Sequence, residues 1–545
     1  MTKPDLKSEF APAVKWGLTA FGFLHLLLMG QLFLPTVHYY FDAVGIRDAG
    51  TLLASLDGAW GNTEKFLYAI LHHVEGPAQF LFLNAYYLFV GNSFPLDPST
   101  CQLPNSLIAL LSGLVAFLLG RRLVGERFGL TFAALYLLTP WLGAAIRYPW
   151  IYISLTNLSE LLVLHTFVVI AQDGSTRKNN FFFATSLALF FSTGLSWPSF
   201  IPFLFVLLLL TGNLALILRS FWLLLPLGII GIYAAWTYLL FRNGNPGFSS
   251  TILTYPFQKL LVGSGNESLL PDLKFVAVFF FSGLGLLPFF GCAGAYSRTR
   301  YIDVRGFLCF YKSPICLMDA LNATITIWFC VGSLLVLSRA SILMYFYVVG
   351  IPVAFLAAQF LYRRSTRTIL LILLISLALQ WSKVINDRQF VVNAEDLRSL
   401  AIATYLIENR PDLLVAEKNA LLPRSMGANA GQYARGAHGR LIIQDANNSD
   451  LLSSGLKKFD WLIAEPTLLG RPGYDLLLRD PQIKWRVRFR DEENREAWLG
   501  EICDGQAAPL ELAQVLEVAP LAKQFSERYD RFPHLTRNVW IIPRY

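Results

Sequence analysis

The sequence predicts a polytopic α-helical membrane protein that ends in a small α/β domain. Two observations lead to this prediction. Hydrophobic residues make up 54% of the 545 residues, charged residues only 15%, and 43 residues are Phe; a soluble chain of this length cannot cover so much apolar surface. After residue 383 the long apolar runs stop and short runs alternate with amphipathic segments. We therefore expect a membrane part, residues 1–383, and an α/β part, residues 384–545.

The membrane part contains apolar runs close to the length of a membrane-spanning helix, about 20 residues. They predict about eleven spans, centred on 14–35, 103–120, 128–146, 150–171, 181–195, 199–212, 220–241, 273–295, 320–338, 341–361 and 368–382. A shorter run, 77–90, starts at Pro77 and is too short to cross a bilayer. We expect this run to form a helix that lies in or dips into the membrane interface.

The distribution of basic residues predicts the orientation of the spans. The net charge of +8 arises in residues 1–382, which hold 23 Lys and Arg against 15 Asp and Glu, whereas residues 383–545 hold 22 of each. Basic charge confined to the membrane part indicates topology and not a nucleic-acid surface. With a cytoplasmic N-terminus, the predicted inner segments hold 16 of these cations and the outer segments seven. An odd number of spans then places the α/β part on the outer, periplasmic face.

The first predicted outer loop, residues 36–102, is long and rich in ionisable side chains, and loops of this length usually carry function. It contains Arg47, Lys65, the pair His72–His73 and the acids Asp42, Asp48, Asp57, Glu64, Glu75 and Asp97. One carboxylate could act as a general base toward a hydroxyl or amine. Two could bind a divalent cation. The third interpretation is ordinary solvated charge, and it is favoured for Asp57, Glu64 and Asp97.

Asp48 is the strongest catalytic candidate among these acids. If RDAGTLLASL is helical, Asp48 lies in the first turn, where backbone N–H groups favour and fix a carboxylate. Leu52 and Leu53 would lie one turn further on and dock the helix against the membrane. His72 and His73 are adjacent and cannot share one helix face, so we expect at most one of them to enter a site.

Ionisable residues inside predicted spans are functional candidates by default. His25 lies in the first predicted span, and Glu160 and His165 lie in the fourth. Glu160 and His165 are five positions apart and align poorly on one helix face. We expect neighbouring helices to satisfy each of them, and we interpret His25 in the same way. The six cysteines lack metal-ligand spacing and are interpreted as small apolar residues.

Three stretches of the sequence resemble the GT-C glycosyltransferases. IRDAGTLLASLDGAW and HHVEGPAQFLFLNAYYLFVG resemble the acidic motif and the histidine-led aromatic helix of that family's first outer loop. LPNSLIALLSGLVAFLLGRRLVGERFGLTFAALYLLTPWLGAAIRY resembles the next block, with its Gly-Arg-Arg-Leu turn on the cytoplasmic side. The resemblance covers about residues 14–240. It is greatest to bacterial relatives of the dolichyl-phosphate-mannose–protein mannosyltransferases and to the aminoarabinose lipid A transferases.

The resemblance implies a GT-C-type fold and an inverting glycosyltransferase of the bacterial inner membrane. Such an enzyme takes a sugar from a polyprenyl-phosphate carrier on the periplasmic face. It transfers the sugar to a hydroxyl or amine of a protein, lipid or glycan acceptor. By position, Asp48 matches the catalytic acid of the family, His72 or His73 its loop histidine, and Arg147 the basic residue that closes the third span.

Further site residues follow from this resemblance. The implied substrate-binding residues are Arg47, His72, His73, Glu75, Arg147, Arg242 and Lys259. Outer cations among them would stabilise the departing polyprenyl phosphate, to which guanidinium groups can bind in a bidentate manner. No cofactor is certain; for a divalent cation, Mg²⁺ or Mn²⁺, the candidate ligands are Asp48 and Glu75.

Some positions depart from the family pattern. Ala49 stands where relatives often have a second acid, the Pro-Pro after the histidine is replaced by EGP, and Ser196 lies near the position of a lysine. No acid follows Arg147 in RYPWIYISL. These departures favour a second hypothesis, a non-catalytic membrane subunit that keeps the scaffold and binds a partner. A transporter is the weakest hypothesis, because no internal repeat is present and ionisable residues cluster at one face.

Overall fold

The chain is described here by a computed structural model. The described residues are 12, 16–20, 22, 78, 82, 85–86, 98–146, 151–193, 200–242, 280–281, 283–299, 316–337, 346–386, 394–409, 420–421, 461–464, 482–492, 494, 496–503 and 514–528. The chain divides into two compact units, one that includes Ser99–Asn386 and one that includes Asp387–Tyr545. We call them the helical unit and the sheet unit.

The described part of the helical unit consists mainly of helices. In chain order they are α1 (Pro98–Leu123), α2 (Glu126–Leu137), α3 (Pro140–Ala145), α4 (Tyr152–Asp173), α5 (Arg177–Ser192), α6 (Ile201–Leu210), α7 (Leu214–Leu218), a 3₁₀ turn (Phe221–Leu223), α8 (Leu224–Arg242), α9 (Leu287–Thr299), α10 (Leu317–Leu337), α11 (Tyr347–Leu361) and α12 (Thr366–Asn386). Most of these helices overlap predicted apolar runs, whereas the run 273–295 is interrupted by a turn at residues 285–286 before α9 begins.

Several of these helices have the composition of membrane spans. Within the described residues, Leu103–Leu123, Ile153–Asp173 and Leu317–Leu334 are each long and apolar enough to cross a bilayer. Shorter apolar helices lie at Ile201–Leu210, Phe221–Ile232, Tyr347–Leu361 and Thr366–Ser382. The predicted class, a helical membrane protein, is confirmed at this level, whereas the count of eleven spans stays a prediction.

One predicted run, 128–146, is not a single helix. It is broken between α2 and α3 because Pro140 has no N–H to continue the hydrogen-bond ladder of α2. Thr139 donates its hydroxyl hydrogen to the Tyr136 carbonyl, 2.6 Å away. The break leaves backbone carbonyls at the end of α2 available to another helix.

The core of the helical unit centres on α11, nearly all of whose side chains are buried. Phe355 of α11 packs edge-to-face against Phe128 and Phe132 of α2, with ring centroids 5.3 and 5.4 Å apart. α11 also touches α9 so closely that a Cβ on Gly294 would clash with the Leu356 carbonyl oxygen. Such backbone-to-backbone contact requires small residues at the helix interface.

The sheet unit combines two described helices with a five-stranded mixed sheet. The helices are α13 (Ala394–Asn409) and α14 (Val518–Arg528), and the strands are β1 (Ala420–Leu421), β2 (Trp461–Ala464), β3 (Ile483–Arg490), β4 (Glu496–Ile502) and β5 (Gln514–Glu517). The strand order is β1-β2-β4-β3-β5. β2, β4 and β3 are antiparallel neighbours, while β1 and β5 pair parallel to the strands beside them.

In the sheet unit, the sequence predicts strands at GRLIIQ, DWLIAEP, KWRVRF, AWLGEI and VWIIPR and helices near 396–409, 448–457 and 508–528. DWLIAEP, KWRVRF and AWLGEI overlap β2, β3 and β4, and the helix expected at 396–409 is α13. GRLIIQ, VWIIPR and 448–457 lie outside the described residues. The expected helix at 508–528 is wrong for Gln514–Glu517, which pairs with β3 as β5 before α14 begins. Pairing with a neighbouring strand overrides the local helical preference there.

Alternation along β3 separates a core face from a charged face. Ile483, Val487 and Phe489 are buried, and Phe489 packs edge-to-face on Tyr405 of α13 with centroids 5.7 Å apart. On the opposite face, Arg486 donates two hydrogen bonds to Glu501 at 2.9 and 2.7 Å. This period-two pattern explains why the strand was recognisable from sequence.

Glu496 receives three hydrogen bonds on that charged face. Arg490 donates from Nε and Nη2 to its Oε1 at 3.0 and 2.8 Å, and Trp498 donates from Nε1 to its Oε2 at 2.7 Å. Burial of the carboxyl raises its pKa, but these hydrogen bonds and the charges of Arg488 and Arg490 outweigh burial. The pKa of Glu496 is therefore lowered from its usual value.

Candidate functional site

Two side chains show which helix ends lie together in the helical unit. Asn105, near the start of α1, donates from Nδ2 to the carbonyl of Ala145 at the end of α3, 2.7 Å away. Gln380 of α12 donates from Nε2 to the carbonyls of Leu137 and Thr139, at 3.0 and 2.9 Å. These are the carbonyls at the break between α2 and α3. We call this end of the unit, where α1 begins and α3 ends, the polar end.

The first turns of α4 bring further polar residues to the polar end. The sequence SLTNLSE places a fully buried set there, Ser154, Thr156, Asn157, Ser159 and Glu160. The hydroxyl of Thr156 donates to that of Thr193, at the end of α5, over 3.2 Å. The start of α4 and the end of α5 therefore also lie at the polar end.

Asn157 connects three helices through its side-chain amide. When the amide oxygen is placed toward Tyr136 of α2, it accepts from that hydroxyl at 3.2 Å. The amide nitrogen then donates to the Tyr347 carbonyl at the start of α11 and to Glu160 Oε2, both at 3.3 Å. This orientation satisfies every polar atom of the amide, which a buried amide requires.

Glu160 was expected to be satisfied by neighbouring helices, and its described partner is Asn157, one turn earlier on the same helix. Among the described residues, neither Glu160 Oε1 nor Nδ1 of His165, further along α4, has a hydrogen-bond partner, and both atoms are buried. Buried polar atoms of this kind are costly, about 1–3 kcal/mol each. The polar stretch within an apolar run was the sequence signal for this cluster.

The helix α8 also ends at the polar end. Near the start of α5, Phe181 packs edge-to-face on Trp222, just before α8, with centroids 4.9 Å apart. Both helices therefore start together, and α8 runs in the same direction as α5, toward Arg242. Arg242, predicted to contact phosphate, is the last residue of α8; its backbone is described and its side chain is not.

The other predicted site residues lie outside the described residues. They are Arg47, Asp48, His72, His73, Glu75, Arg147 and Lys259. Arg147 falls in the four-residue gap between Ile146 and Ile151, which are both fully buried. In the sequence, Arg147 directly follows Ile146, and Arg242 is the last residue of α8. Their distances to each other and to Asp48 stay predictions.

The opposite end of the helical unit carries basic residues, and we call it the basic end. Arg122 at the end of α1 forms an ion pair with Asp173 at the end of α4. Arg127, at the start of α2, donates to the carbonyl of Arg364, just after α11. The described cations at this end include Arg121, Arg122, Arg127, Arg177, Lys178, Arg363, Arg364 and Arg367. Under the positive-inside rule such an end is expected to face the cytoplasm.

Within the part of the chain that the structure describes, no group of three or more His, Cys, Asp or Glu side chains could hold a metal ion. The candidate ligands Asp48 and Glu75 fall outside those residues. The structure therefore leaves the predicted cation site untested.

Solved structures with the same fold are GT-C glycosyltransferases. The chain is similar to ArnT from Cupriavidus metallidurans bound to undecaprenyl phosphate, with a TM-score of 0.57 and 15% identity over 92% of this chain and 100% of that one. It is also similar to AglB from Archaeoglobus fulgidus with an inhibitory peptide and a dolichol-phosphate (TM-score 0.53, 13% identity, 90% of this chain, 74% of that one). The chain is also similar to the A. fulgidus oligosaccharyltransferase in complex with Zn and sulfate, with a TM-score of 0.51 and 13% identity over 82% of this chain and 68% of that one.

No protein-family model matches the sequence. No curated protein matches it either. At 13–15% identity the structural likenesses show a shared fold. The GT-C-type fold expected from the sequence resemblance is thereby confirmed.

Proposed function

We propose that the chain is a glycosyltransferase that moves a sugar from a polyprenyl-phosphate carrier to a protein, lipid or glycan acceptor. The observation that carries this proposal is the fold likeness to ArnT bound to undecaprenyl phosphate, which extends over 92% of this chain and all of that one. A likeness that spans both chains supports a shared layout of helices, outer loops and C-terminal unit. The carrier lipid bound by that relative is the reason for proposing a polyprenyl phosphate here.

The proposed location is the bacterial inner membrane. The basic end would face the cytoplasm and the polar end the periplasm, with residues 384–545 forming an outer α/β domain. The clustering of Arg and Lys at one end of the helical unit supports this orientation. Eleven spans, with a cytoplasmic N-terminus, would bring the first loop and residues 384–545 to the same side.

The proposed reaction takes place at the polar end. The carboxylate of Asp48 removes a proton from the acceptor hydroxyl or amine, whose oxygen or nitrogen attacks the anomeric carbon of the sugar. The bond from that carbon to the phosphate oxygen breaks, and the polyprenyl phosphate leaves with the electron pair. A direct displacement of this kind inverts the anomeric configuration.

Cations would stabilise the leaving phosphate. Arg147 and Arg242 are the leading candidates because Arg147 follows α3 in the sequence, Arg242 ends α8, and a guanidinium group can bind two phosphate oxygens at once. Lys259, Arg47 and one of the adjacent loop histidines are the further proposed contacts. Asp48 and Glu75 are the proposed ligands of a divalent cation, and the displacement above uses protein residues alone.

A second candidate function is a non-catalytic subunit that keeps the fold and binds a partner. The observations that favour it are Ala49, where relatives often have a second acid, and Ser196, near a lysine position. Under this hypothesis the first-loop acids are dispensable. The glycosyltransferase should therefore form a glycosylated product that can be detected, whereas the binding subunit should form none.

Mass spectrometry of glycans, lipids and glycoproteins from cells with and without the gene tests the proposal. We expect one sugar-bearing species to disappear on deletion and to return when the wild-type gene is restored. The Asp48→Asn gene should not restore it, whereas Asp57→Asn, a change in the same loop, should. Loss of no species, or full restoration by Asp48→Asn, would favour the binding subunit.

A further inference from the structure

Four arginines lie around the start of α2 and the connection from α11 to α12. Arg127 is the second residue of α2, Arg363 and Arg364 follow α11, and Arg367 lies in the first turn of α12. Arg127 donates to the backbone carbonyl of Arg364, so the start of α2 and the end of α11 are in contact. Thr366 begins α12, so Arg367 follows Arg364 closely in the chain. We call Arg127, Arg363, Arg364 and Arg367 the arginine corner.

Aromatic rings hold two of these guanidinium groups in place. Arg363 lies over the Tyr362 ring, 5.3 Å from its centroid, and donates from Nε to the Tyr362 hydroxyl at 2.8 Å. Arg364 lies over the Phe360 ring at 4.5 Å. Tyr362 itself packs edge-to-face on Phe128 of α2, with centroids 5.4 Å apart. Both guanidinium groups therefore have aromatic neighbours at the end of α11.

The arginine corner has a surplus of positive charge. The contacts that the structure gives Arg363 and Arg364 are to aromatic rings and to a hydroxyl, and not to a carboxylate. Among the described residues, no carboxylate forms an ion pair with Arg363, Arg364 or Arg367. Arg363, Arg364 and Arg367 are exposed and can reach a ligand.

The position of the corner indicates a ligand at the membrane surface. The apolar helix Tyr347–Leu361 passes directly into Tyr362, Arg363 and Arg364. An aromatic residue followed by cations at the end of an apolar helix is typical of the headgroup level of a bilayer. Basic sites between helices at this level bind the headgroups of anionic lipids.

We propose that the arginine corner binds the phosphodiester headgroup of an anionic phospholipid in the leaflet that surrounds the basic end. Arg363 and Arg364 would contact the phosphate oxygens, with Arg367 and Arg127 contributing charge. The site lies at the opposite end of the helical unit from the polar end. It is separate from the proposed transfer reaction and does not depend on it.

Native mass spectrometry of the detergent-purified full chain tests this proposal. The chain is titrated with dioleoyl-phosphatidylglycerol and, in parallel, with dioleoyl-phosphatidylcholine. We expect tighter binding of the anionic lipid and a loss of about fivefold per arginine replaced. R363Q/R364Q should bring phosphatidylglycerol close to the affinity of phosphatidylcholine, and R367Q, an exposed single change, should cost about fivefold.

The matched control is R177Q/K178Q, which removes the same charge from exposed positions at the start of α5, also at the basic end. It should change the affinity for phosphatidylglycerol less than twofold, because salt screens a surface charge that lies far from the bound headgroup. Equal losses in both double variants would overturn the proposal, as would equal affinity for the two lipids. The proposal would also be overturned if millimolar inorganic phosphate displaced bound phosphatidylglycerol completely. The ligand of the corner would then be a free anion and not a lipid headgroup.

Discussion

The two ends of the helical unit use polar side chains in different ways. At the polar end, buried groups such as Asn157, Thr156 and Gln380 bond from one helix to another. At the basic end, the pair Arg122–Asp173 has side chains 29% and 53% exposed. The polar end is therefore stabilised by buried hydrogen bonds between helices, out of reach of water. The Arg122–Asp173 pair at the basic end remains partly solvated.

This difference sets the scale of the expected mutational effects. An unsatisfied buried polar group costs about 1–3 kcal/mol. An exposed ion pair contributes about 0–1 kcal/mol. Polar substitutions at the polar end should therefore destabilise the fold more than those at the basic end. Replacing a glycine by alanine is a separate case. Its cost depends on how closely the backbone of a neighbouring helix approaches the glycine.

The largest expected effect is steric and falls at the basic end. A Cβ on Gly129 of α2 would lie 2.6 Å from the Phe117 carbonyl oxygen and 2.8 Å from the Arg121 nitrogen of α1. Because backbone atoms cannot move aside cheaply, Gly129→Ala should lose about 3 kcal/mol. Thermal unfolding of the purified chain in detergent measures this loss. Gly231→Ala, with no atom within 4 Å of its Cβ, should be neutral or slightly stabilising; equal melting temperatures would refute the close approach.

Asn157→Ala should have the next largest effect. It leaves Glu160 Oε2 without its described partner and removes one of the two described partners of the Tyr136 hydroxyl, the other being Ser112. We expect a loss of about 2 kcal/mol, since both groups are buried. The same unfolding measurement applies. A melting temperature equal to that of the unchanged chain would mean that the amide network does not hold the polar end together.

Glu496→Gln extends the comparison to a paired carboxylate outside the helical unit. The pKa of Glu496 is lowered, so the ionised form stabilises the fold above the ordinary carboxyl pKa, and this contribution is lost as the pH falls through the lowered value. The variant should therefore be less stable by about 1 kcal/mol at pH 7. The gap should close in acid, below about pH 4.

Hydrogen exchange of the β3–β4 amides between pH 3 and pH 7 measures this gap, with intrinsic exchange rates corrected for pH. The exposed Glu517→Gln in β5 serves as the control and should show no gap at either pH. A gap for Glu496→Gln that stays constant down to pH 3 would contradict the stabilising role of its charge.

The smallest expected effect is that of Arg122→Gln. Because both partners of the Arg122–Asp173 pair are partly exposed, the loss should be within about 0.5 kcal/mol. It should vanish in high salt, where exposed charges are screened. A loss larger than that of Asn157→Ala would reverse the proposed difference between the two ends.

Much of the fold could be predicted because apolar length and strand alternation are local signals. The run 150–171 anticipated α4, and KWRVRF anticipated β3. The break at Pro140 was missed although its cause is local, because the apolar run continues past the proline; the strand at Gln514–Glu517 was missed because it depends on a partner distant in sequence. Gln380 takes up the carbonyls that the break leaves, and β3 pairs with residues 514–517.

The candidate site was predictable only in part. Asp48 and the outer cations stay predictions, made from their position beside the membrane and from a family resemblance, because nearly all of them lie outside the described residues. The buried network around Asn157 was missed, although SLTNLSE interrupts an apolar run, because which helices meet there depends on tertiary packing. Sequence spacing orders polar residues along one helix; it does not say which helix faces them.

The central claim is that a carboxylate near the start of the chain removes the acceptor proton on the outer side of the membrane. Purified Asp48→Asn and Asp57→Asn, with folding verified by thermal unfolding, are compared with the unchanged chain in transfer assays that use the native lipid-linked sugar. We expect Asp48→Asn to lose 10²-fold to about 10⁴-fold in rate and Asp57→Asn to keep its rate. Undiminished transfer by a folded Asp48→Asn would contradict the claim.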